Sequence, residues 1–102
     1  MMTLRLTDDA RRDLSGIRSY TRQEFGARQA ELYMSRLREG FKALRRHPEL
    51  GFPVDHLKAG FRCFRVQHHA IFYALAGEII AVVAILHESQ LPARHLEQRP
   101  GD

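Results

Sequence analysis

Apolar positions recur along this chain in two rhythms, one for each half. Residues 3–6 alternate as a short strand would, and then Ala10, Leu14, Ile17 and Tyr20 recur at steps of four, three and three, one face of a helix. Thr7 stands where a hydroxyl can cap that helix, and Asp8 and Asp9 complement the positive end of its dipole. The helix is expected to stop near Phe25–Gly26, because glycine readily takes the left-handed conformation that ends helices. Ala30, Tyr33, Leu37, Phe41 and Leu44, spaced by three, four, four and three, predict a second helix. Pro48 cannot continue it, which puts its end near His47. The connection at Gly26 is so short that the two helices should form an antiparallel hairpin.

The second half changes rhythm. Glu49–Gly60 holds Gly51, Pro53 and Gly60 without a clear period and reads as a loop. Arg62–Val66, Ala70–Leu75 and Ile79–His87 read as strands, joined by turns at Gln67-His68-His69 and Ala76-Gly77-Glu78 into a β-meander. The last strand, IIAVVAILH, is apolar on both faces, so it should lie centrally with both faces covered. Strict alternation would send Ile79, Ala81, Val83 and Ile85 to one side and Ile80, Val82, Ala84 and Leu86 to the other. One set can pack on the helices through Leu14, Ile17, Leu37, Phe41 and Leu44. The other is expected to lie open for a partner, since large exposed apolar patches mark binding sites. The alternative is that Leu91–Leu96 folds back over it. Residues 1–98 form a single domain in this reading, and Arg99–Asp102 form a frayed tail.

Composition narrows the class. The chain has 102 residues, one domain's worth, and its 44% hydrophobic and 27% charged residues exclude wholesale disorder. No apolar run reaches the roughly 18–20 residues that span a bilayer. The opening MMTLRLTDD lacks a secretory signal, so a cytoplasmic location is expected. A lone Cys63 excludes an intramolecular disulfide and supplies too little sulfur for a cysteine-based metal site. The net charge of +4 is unevenly placed, with 11 basic and 7 acidic residues in 1–50 against 5 and 5 in 51–102. Arginines at 11, 12, 18, 22, 28, 36, 38, 45 and 46 fall on the outer helix faces. Such an excess suits an acidic partner, whether nucleic acid, ribosome or protein segment, or simply a solvated surface.

The candidate chemistry is thin. No pair of the six histidines has the i, i+4 spacing of a helical zinc site, and there is no phosphate-binding glycine loop or nucleophile elbow. Cys63 inside an apolar strand reads as a small buried hydrophobe. The best catalytic set is Arg62 and Arg65 on one strand with His87 ending another, residue types suited to RNA cleavage through its own 2′-hydroxyl. Positions 62 and 65 face opposite sides of a regular strand, however, so a bulge would be needed to bring both beside His87.

Taken in order, the motifs resemble the ParE branch of the RelE/ParE toxin superfamily. The first helix reads A-x-x-D-L-x-x-I-x-x-Y through Ala10, Asp13, Leu14, Ile17 and Tyr20. The second follows with Gly26, Ala30, Tyr33 and Leu37, and then Phe41, Leu44, Pro48 and Gly51. Gly60-Phe61-Arg62, Ile71-Phe72-Tyr73 and Ile85-Leu86-His87 complete the order, so the resemblance runs from residue 4 to about 96. It implies an α+β, two-layer fold, β-α-α-β-β-β, with a helical hairpin on a small, mostly antiparallel sheet and the first strand beside the last.

The resemblance also implies a role: the toxin of a type II toxin–antitoxin pair, neutralised by a ParD-like antitoxin and inhibiting DNA gyrase by protein binding. No cofactor, metal, membrane or sequence-specific DNA binding by this chain alone is expected. RelE-like relatives are instead ribosome-dependent mRNA endoribonucleases, and under that alternative Arg62, Arg65 and His87 would be the catalytic residues. The nuclease pattern is poorly kept. No tyrosine follows the last strand, the loop before the meander offers only Lys58, and a histidine at 87 suits either branch. The tail also lacks the acidic residue that many ParE-like chains carry soon after position 88. A third reading is a non-toxic module that only binds a protein partner. For the antitoxin, the expected contacts are Arg11, Arg18 and Arg22 on the hairpin and Phe64, Phe72, Val82 and Val83 on the sheet.

Overall fold

A computed structural model describes residues 1–99. The elements run β1 (Thr3–Leu6), α1 (Asp8–Phe25), α2 (Ala27–Arg46), β2 (Phe52–Pro53), β3 (Phe61–Val66), β4 (His69–Ala76), β5 (Ile79–His87) and α3 (Pro92–Leu96). The Thr7 hydroxyl accepts from the Ala10 amide at 3.2 Å, as its place before the helix predicts. Gly26 is the whole connection of the hairpin. It takes φ 90° and ψ 165°, a region that side chains exclude, and serves as both the last cap of α1 and the first of α2.

The sheet order is β1-β5-β4-β3-β2. β1 lies parallel to β5 with Leu6 opposite Val82, and the remaining pairs are antiparallel. The expected α+β fold is observed, with β2 as an added two-residue edge strand inside the segment expected to be loop. The hairpin covers one face. There Ala10, Ile17, Met34, Leu37 and Leu44 meet Ile71, Tyr73, Ile80, Val82 and Ile85 in one buried cluster. Gly40 lets α2 approach that closely, because a Cβ there would stand 2.7 Å from the Val66 methyl.

Two expectations about β5 are corrected. Its side chains do not alternate strictly. Phe72 pairs with Ala84 and Tyr73 with Val82, leaving Val83 as an extra residue in a β-bulge. The bulge switches the phase, so Ile80, Val82 and Ile85 face the hairpin while Val83, Ala84 and Leu86 face the other way. Nor is the second face open. Val83, Ala84, Leu86, Phe72, Phe61 and Cys63 pack there with Val54, Leu57 and Leu96, and Leu96 is wholly buried. Segment 54–60 with a five-residue helix suffices to cover this face. Leu91–Leu96 does fold back.

The tail is pinned as well. The Lys58 ammonium donates to the carbonyl oxygens of Leu96, at 3.3 Å, and of Arg99. The Arg99 guanidinium reaches Asp13 on α1 at 2.6 and 3.1 Å and donates to the Val83 carbonyl at 3.0 Å. Arg99 is therefore anchored where fraying was expected; residues 100–102 lie outside the described residues. Among the described residues no helix is long and apolar enough to cross a membrane.

Candidate functional site

The catalytic trio is not assembled. Arg62 pairs across the ladder with Tyr73, whereas His87 pairs with His69 at the far end of the sheet. Four residues of strand separate position 62 from Val66, the partner of His69, which is roughly 13 Å. Arg62 is also occupied: its guanidinium donates to the carbonyls of Gly51 (3.0 Å) and Glu49 (3.2 Å), holding the turn after α2. Arg65 is exposed and follows Phe61 and Cys63 onto the opposite face from Phe64 and Val66. No bulge in β3 brings it round. Burial pushes the Cys63 thiol up, so it stays protonated inside the second cluster.

The expected antitoxin contacts divide by burial. Arg11, Arg18 and Arg22 are exposed on α1; Arg11 bonds Asp8 at 3.0 Å, and Arg18 reaches Glu31 of α2 at 3.3 Å. Phe64 is half-buried under the hairpin. Phe72, Val82 and Val83 are interior residues, at 3%, 0% and 0% exposure, and no partner can touch them in this fold. They are core residues where antitoxin contacts were expected, because the hairpin covers Val82 and α3 with segment 54–60 covers the other two.

The concave surface lies elsewhere. A groove of about 840 Å³ runs between the outer half of α1, the start of α2 and the ends of β4 and β5. Its apolar wall is Ile17, Tyr20, Phe25 and Ile85, and its polar end holds Arg12, Tyr33, His68, His69, His87, Ser89 and Gln90. Tyr20 and Phe25 are 64% and 65% exposed. The apolar rhythm placed Tyr20 in the core, but Thr21 takes the buried position, its hydroxyl donating to the Ile17 carbonyl at 2.7 Å. Gly16 lies on the same wall with nothing within 4 Å of where its Cβ would be. A glycine inside a helix costs about 1 kcal/mol relative to alanine, and here no internal contact requires it.

The polar end is organised by Tyr33. Its hydroxyl accepts from the His68 amide at 3.2 Å and lies 2.5 Å from His69 Nδ1. Burial raises the Tyr33 pKa and so keeps it a neutral phenol. His69 is pushed down to about 4, first by burial and then by the neighbouring His87 and His68 rings. At neutral pH it is uncharged and can accept the tyrosine proton at Nδ1. Gln67, just before this pair, has φ 55°, an uncommon left-handed conformation for a residue with a side chain. Among the described residues no group of histidine, cysteine and carboxylate side chains is arranged to hold a metal ion.

Residues 4–92 match the family described as the ParE toxin of the type II toxin–antitoxin system parDE. The chain belongs to the ParE toxin family. It is 32% identical over 96 residues to Toxin ParE1 of Caulobacter vibrioides, covering 94% of this chain and 99% of that protein. It is 40% identical over 84 residues to Toxin ParE of Escherichia coli, covering 81% and 82%. A solved structure of the chromosomal ParDE TA system from P. aeruginosa superposes with a TM-score of 0.74 at 21% identity, over 85% of this chain and 96% of that one. That likeness concerns the fold.

The positions that carried the ParE resemblance have physical work in this fold. Asp13 accepts from the Ile85 amide at 2.9 Å, just beyond the bulge, while also holding Arg99. The buried Tyr73 hydroxyl donates to the Pro48 carbonyl at 2.7 Å and accepts from the Gly51 amide at 3.0 Å, which locks the turn after α2. Gly51 is required there, since a Cβ would stand 2.7 Å from both the Cys63 carbonyl oxygen and the Tyr73 hydroxyl. Other positions of the motif, Ile17, Tyr20, Tyr33, Ile85 and His87, line the groove itself.

Proposed function

We propose that this ParE-type toxin inhibits DNA gyrase by protein binding, without chemistry of its own, and that a ParD-like antitoxin segment neutralises it by filling the groove. The observation that carries the reading is the groove itself. It is the concavity that exposes two large aromatics, Tyr20 and Phe25, beside an imidazole-rich end. Aromatics anchored beside a polar rim make a protein-binding surface. The dispersal of Arg62, Arg65 and His87 fits the same reading, because acid–base catalysis on RNA needs those groups within hydrogen-bond reach of one substrate. The P. aeruginosa structure, named as a ParDE system, makes a ParD-type antitoxin the natural partner to test.

The test is direct. Purified toxin added to gyrase and relaxed plasmid should block supercoiling, and prior addition of the antitoxin should restore it. The same preparation should leave ribosome-bound mRNA intact. His87→Ala, at an exposed position, should keep growth inhibition largely unchanged, whereas loss of a nuclease's acid or base would cost roughly 10²–10⁴-fold in rate. Intact supercoiling together with cut mRNA would transfer the assignment to the endoribonuclease branch.

A further inference from the structure

The helical hairpin carries the whole net charge of the chain. α1 and α2 together hold ten basic and six acidic residues, nine of the ten being arginine, and the rest of the chain is balanced. The carboxylates are largely spent: Asp13 on Arg99, Asp8 on Arg11, Asp9 on Arg12, Glu31 on Arg18 and Glu39 on Lys42. Among the described residues, Arg22, Arg28, Arg36, Arg38 and Arg46 have no carboxylate within ion-pair distance, and all five are exposed.

Helix geometry gathers most of them on one face. α2 buries Ala30, Met34, Leu37 and Leu44, which sends Arg28, Ser35, Lys42 and Arg46 to the half turned from the core. Arg38 stands two turns after Glu31, which reaches Arg18, so it lies along the seam between the helices. Arg11, Arg18 and Arg22 follow the same seam on α1. From Arg28 to Arg46 the row is about 27 Å long at 1.5 Å per residue, the length of about eight base-pair steps of duplex DNA.

The face also lacks the anchors of a protein-binding surface. Of the hairpin's large exposed apolar side chains, Tyr20 and Phe25 line the groove, and Leu32 alone borders the arginines. Protein interfaces draw their energy from buried aromatic and aliphatic anchors. A phosphate backbone needs only an array of cations, and the guanidinium fork fits phosphate oxygens bidentately.

We infer that the outer face of the hairpin, through Arg22, Arg28 and Arg38, binds the phosphate backbone of duplex DNA without reading its sequence, and so holds the DNA on which gyrase acts. The gyrase setting rests on the function proposed above; the DNA contact does not. None of these three arginines lines the groove, so DNA and the antitoxin segment occupy different surfaces.

Fluorescence anisotropy of a labelled duplex of about 20 base pairs, titrated with the full chain between about 50 and 200 mM salt, reads the contact. Three phosphate contacts give a log–log salt slope of about −2.7, a loss of roughly 40-fold in affinity across that range. Arg28→Gln combined with Arg38→Gln should bring the slope to about −0.9 and weaken binding at low salt by about tenfold or more. Arg94→Gln, at an exposed position on α3, should leave slope and affinity within about twofold. The double variant should need about fivefold more toxin to block supercoiling, while antitoxin capture at the same salt stays within about threefold. No duplex binding at low salt, or an unchanged slope in the double variant, overturns the assignment. Lost antitoxin capture with unchanged DNA binding gives the face to an acidic protein segment and overturns it equally. DNA binding with the expected slope beside uninhibited gyrase overturns the gyrase reading and leaves the DNA contact standing.

Discussion

Removing Asp13 should expose how much of this small fold hangs on one carboxylate. Asp13 accepts two hydrogen bonds from the Arg99 guanidinium in a forked arrangement and a third from the Ile85 amide. The two side chains are only 16% and 15% exposed. The hydrogen bonds that Arg99 donates to Asp13 hold its pKa above the ordinary value, although burial works against it. β1 ends at Leu6, opposite Val82, so beyond that point one edge of β5 has no strand beside it. Arg99 donates to the Val83 carbonyl and Asp13 accepts from the Ile85 amide, and together they satisfy that edge.

Asp13→Ala leaves the Ile85 amide without its acceptor, at about 1–3 kcal/mol. It also leaves Arg99 as a largely buried charge without its principal partner, and breaking such a pair from one side costs about 3–5 kcal/mol in all. Arg99→Ala should fall at the low end of that range, about 3 kcal/mol, because Asp13 keeps the Ile85 amide. The double variant leaves no orphaned charge, so it should be only slightly worse than Asp13→Ala alone, with a coupling of at least about 1.5 kcal/mol. Urea unfolding of the four proteins gives the cycle. A domain of this size has a total stability of about 5–15 kcal/mol, so Asp13→Ala should lower the midpoint steeply. Arg99→Lys should rescue poorly, since one ammonium cannot reproduce the fork and the carbonyl contact together. Costs that add to within about 0.5 kcal/mol would refute the clamp and reduce Arg99 to a surface residue.

Three further outcomes follow from single positions. Gly40→Ala drives a Cβ to within 2.7 Å of the Val66 methyl and should destabilise by about 1–3 kcal/mol, read as a lower urea midpoint at unchanged slope. Gly16→Ala, with open space around it, should raise stability by up to about 1 kcal/mol, and Gly16→Trp should keep the fold but fill the groove and weaken antitoxin capture; a Tm lowered by the alanine would show an internal role for the glycine. His69, whose folded value of about 4 lies below the ordinary 6.5, leaves the unfolded chain the stronger proton binder between those values. Its contribution is therefore complete above about pH 6.5 and fades toward pH 4, by up to about 3 kcal/mol. The stability difference between wild type and His69→Gln should shrink across that window, and a constant difference would place His69 outside the buried pair with Tyr33.

Most of the fold was legible because its signals are local. The 3.6-residue rhythm set both helices, Gly26 and Pro48 set their ends, and the turn residues set the meander, all within a residue or two of the observed limits. What escaped was non-local. The bulge at Val83 leaves no mark in an all-apolar run, because either phase of IIAVVAILH buries hydrophobic side chains. Alternation carries information only where polar residues break it, and in this strand the first to do so is His87. The cover of the second face was equally hidden, since Val54, Leu57 and Leu96 come from an aperiodic loop and a five-residue helix that show no rhythm of their own.

The groove escaped for the opposite reason: its lining residues looked structural. Tyr20 fell on the apolar rhythm of α1 and Tyr33 on that of α2, so both read as core. One is in fact exposed, and the other ties α2 to the β3–β4 turn through its hydroxyl. The signal that could have separated them is polar company. A buried tyrosine must bring its hydroxyl to a partner, and the adjacent His68 and His69 at a two-residue turn were the polar pair in the sequence without a helical role. Asp13 gave a comparable hint, as a carboxylate beside Leu14 on the side of α1 that turns toward the sheet. A charge at such a place needs a buried cation or backbone donors, and the only basic residue late enough in the chain to fold back over β5 after the short cover at 91–96 is Arg99. The polar residues bordering the core thus carried the tertiary information that the apolar pattern lacked. They join α1 to the bulge and the tail, and α2 to the turn, and the groove is the space left open between those two junctions.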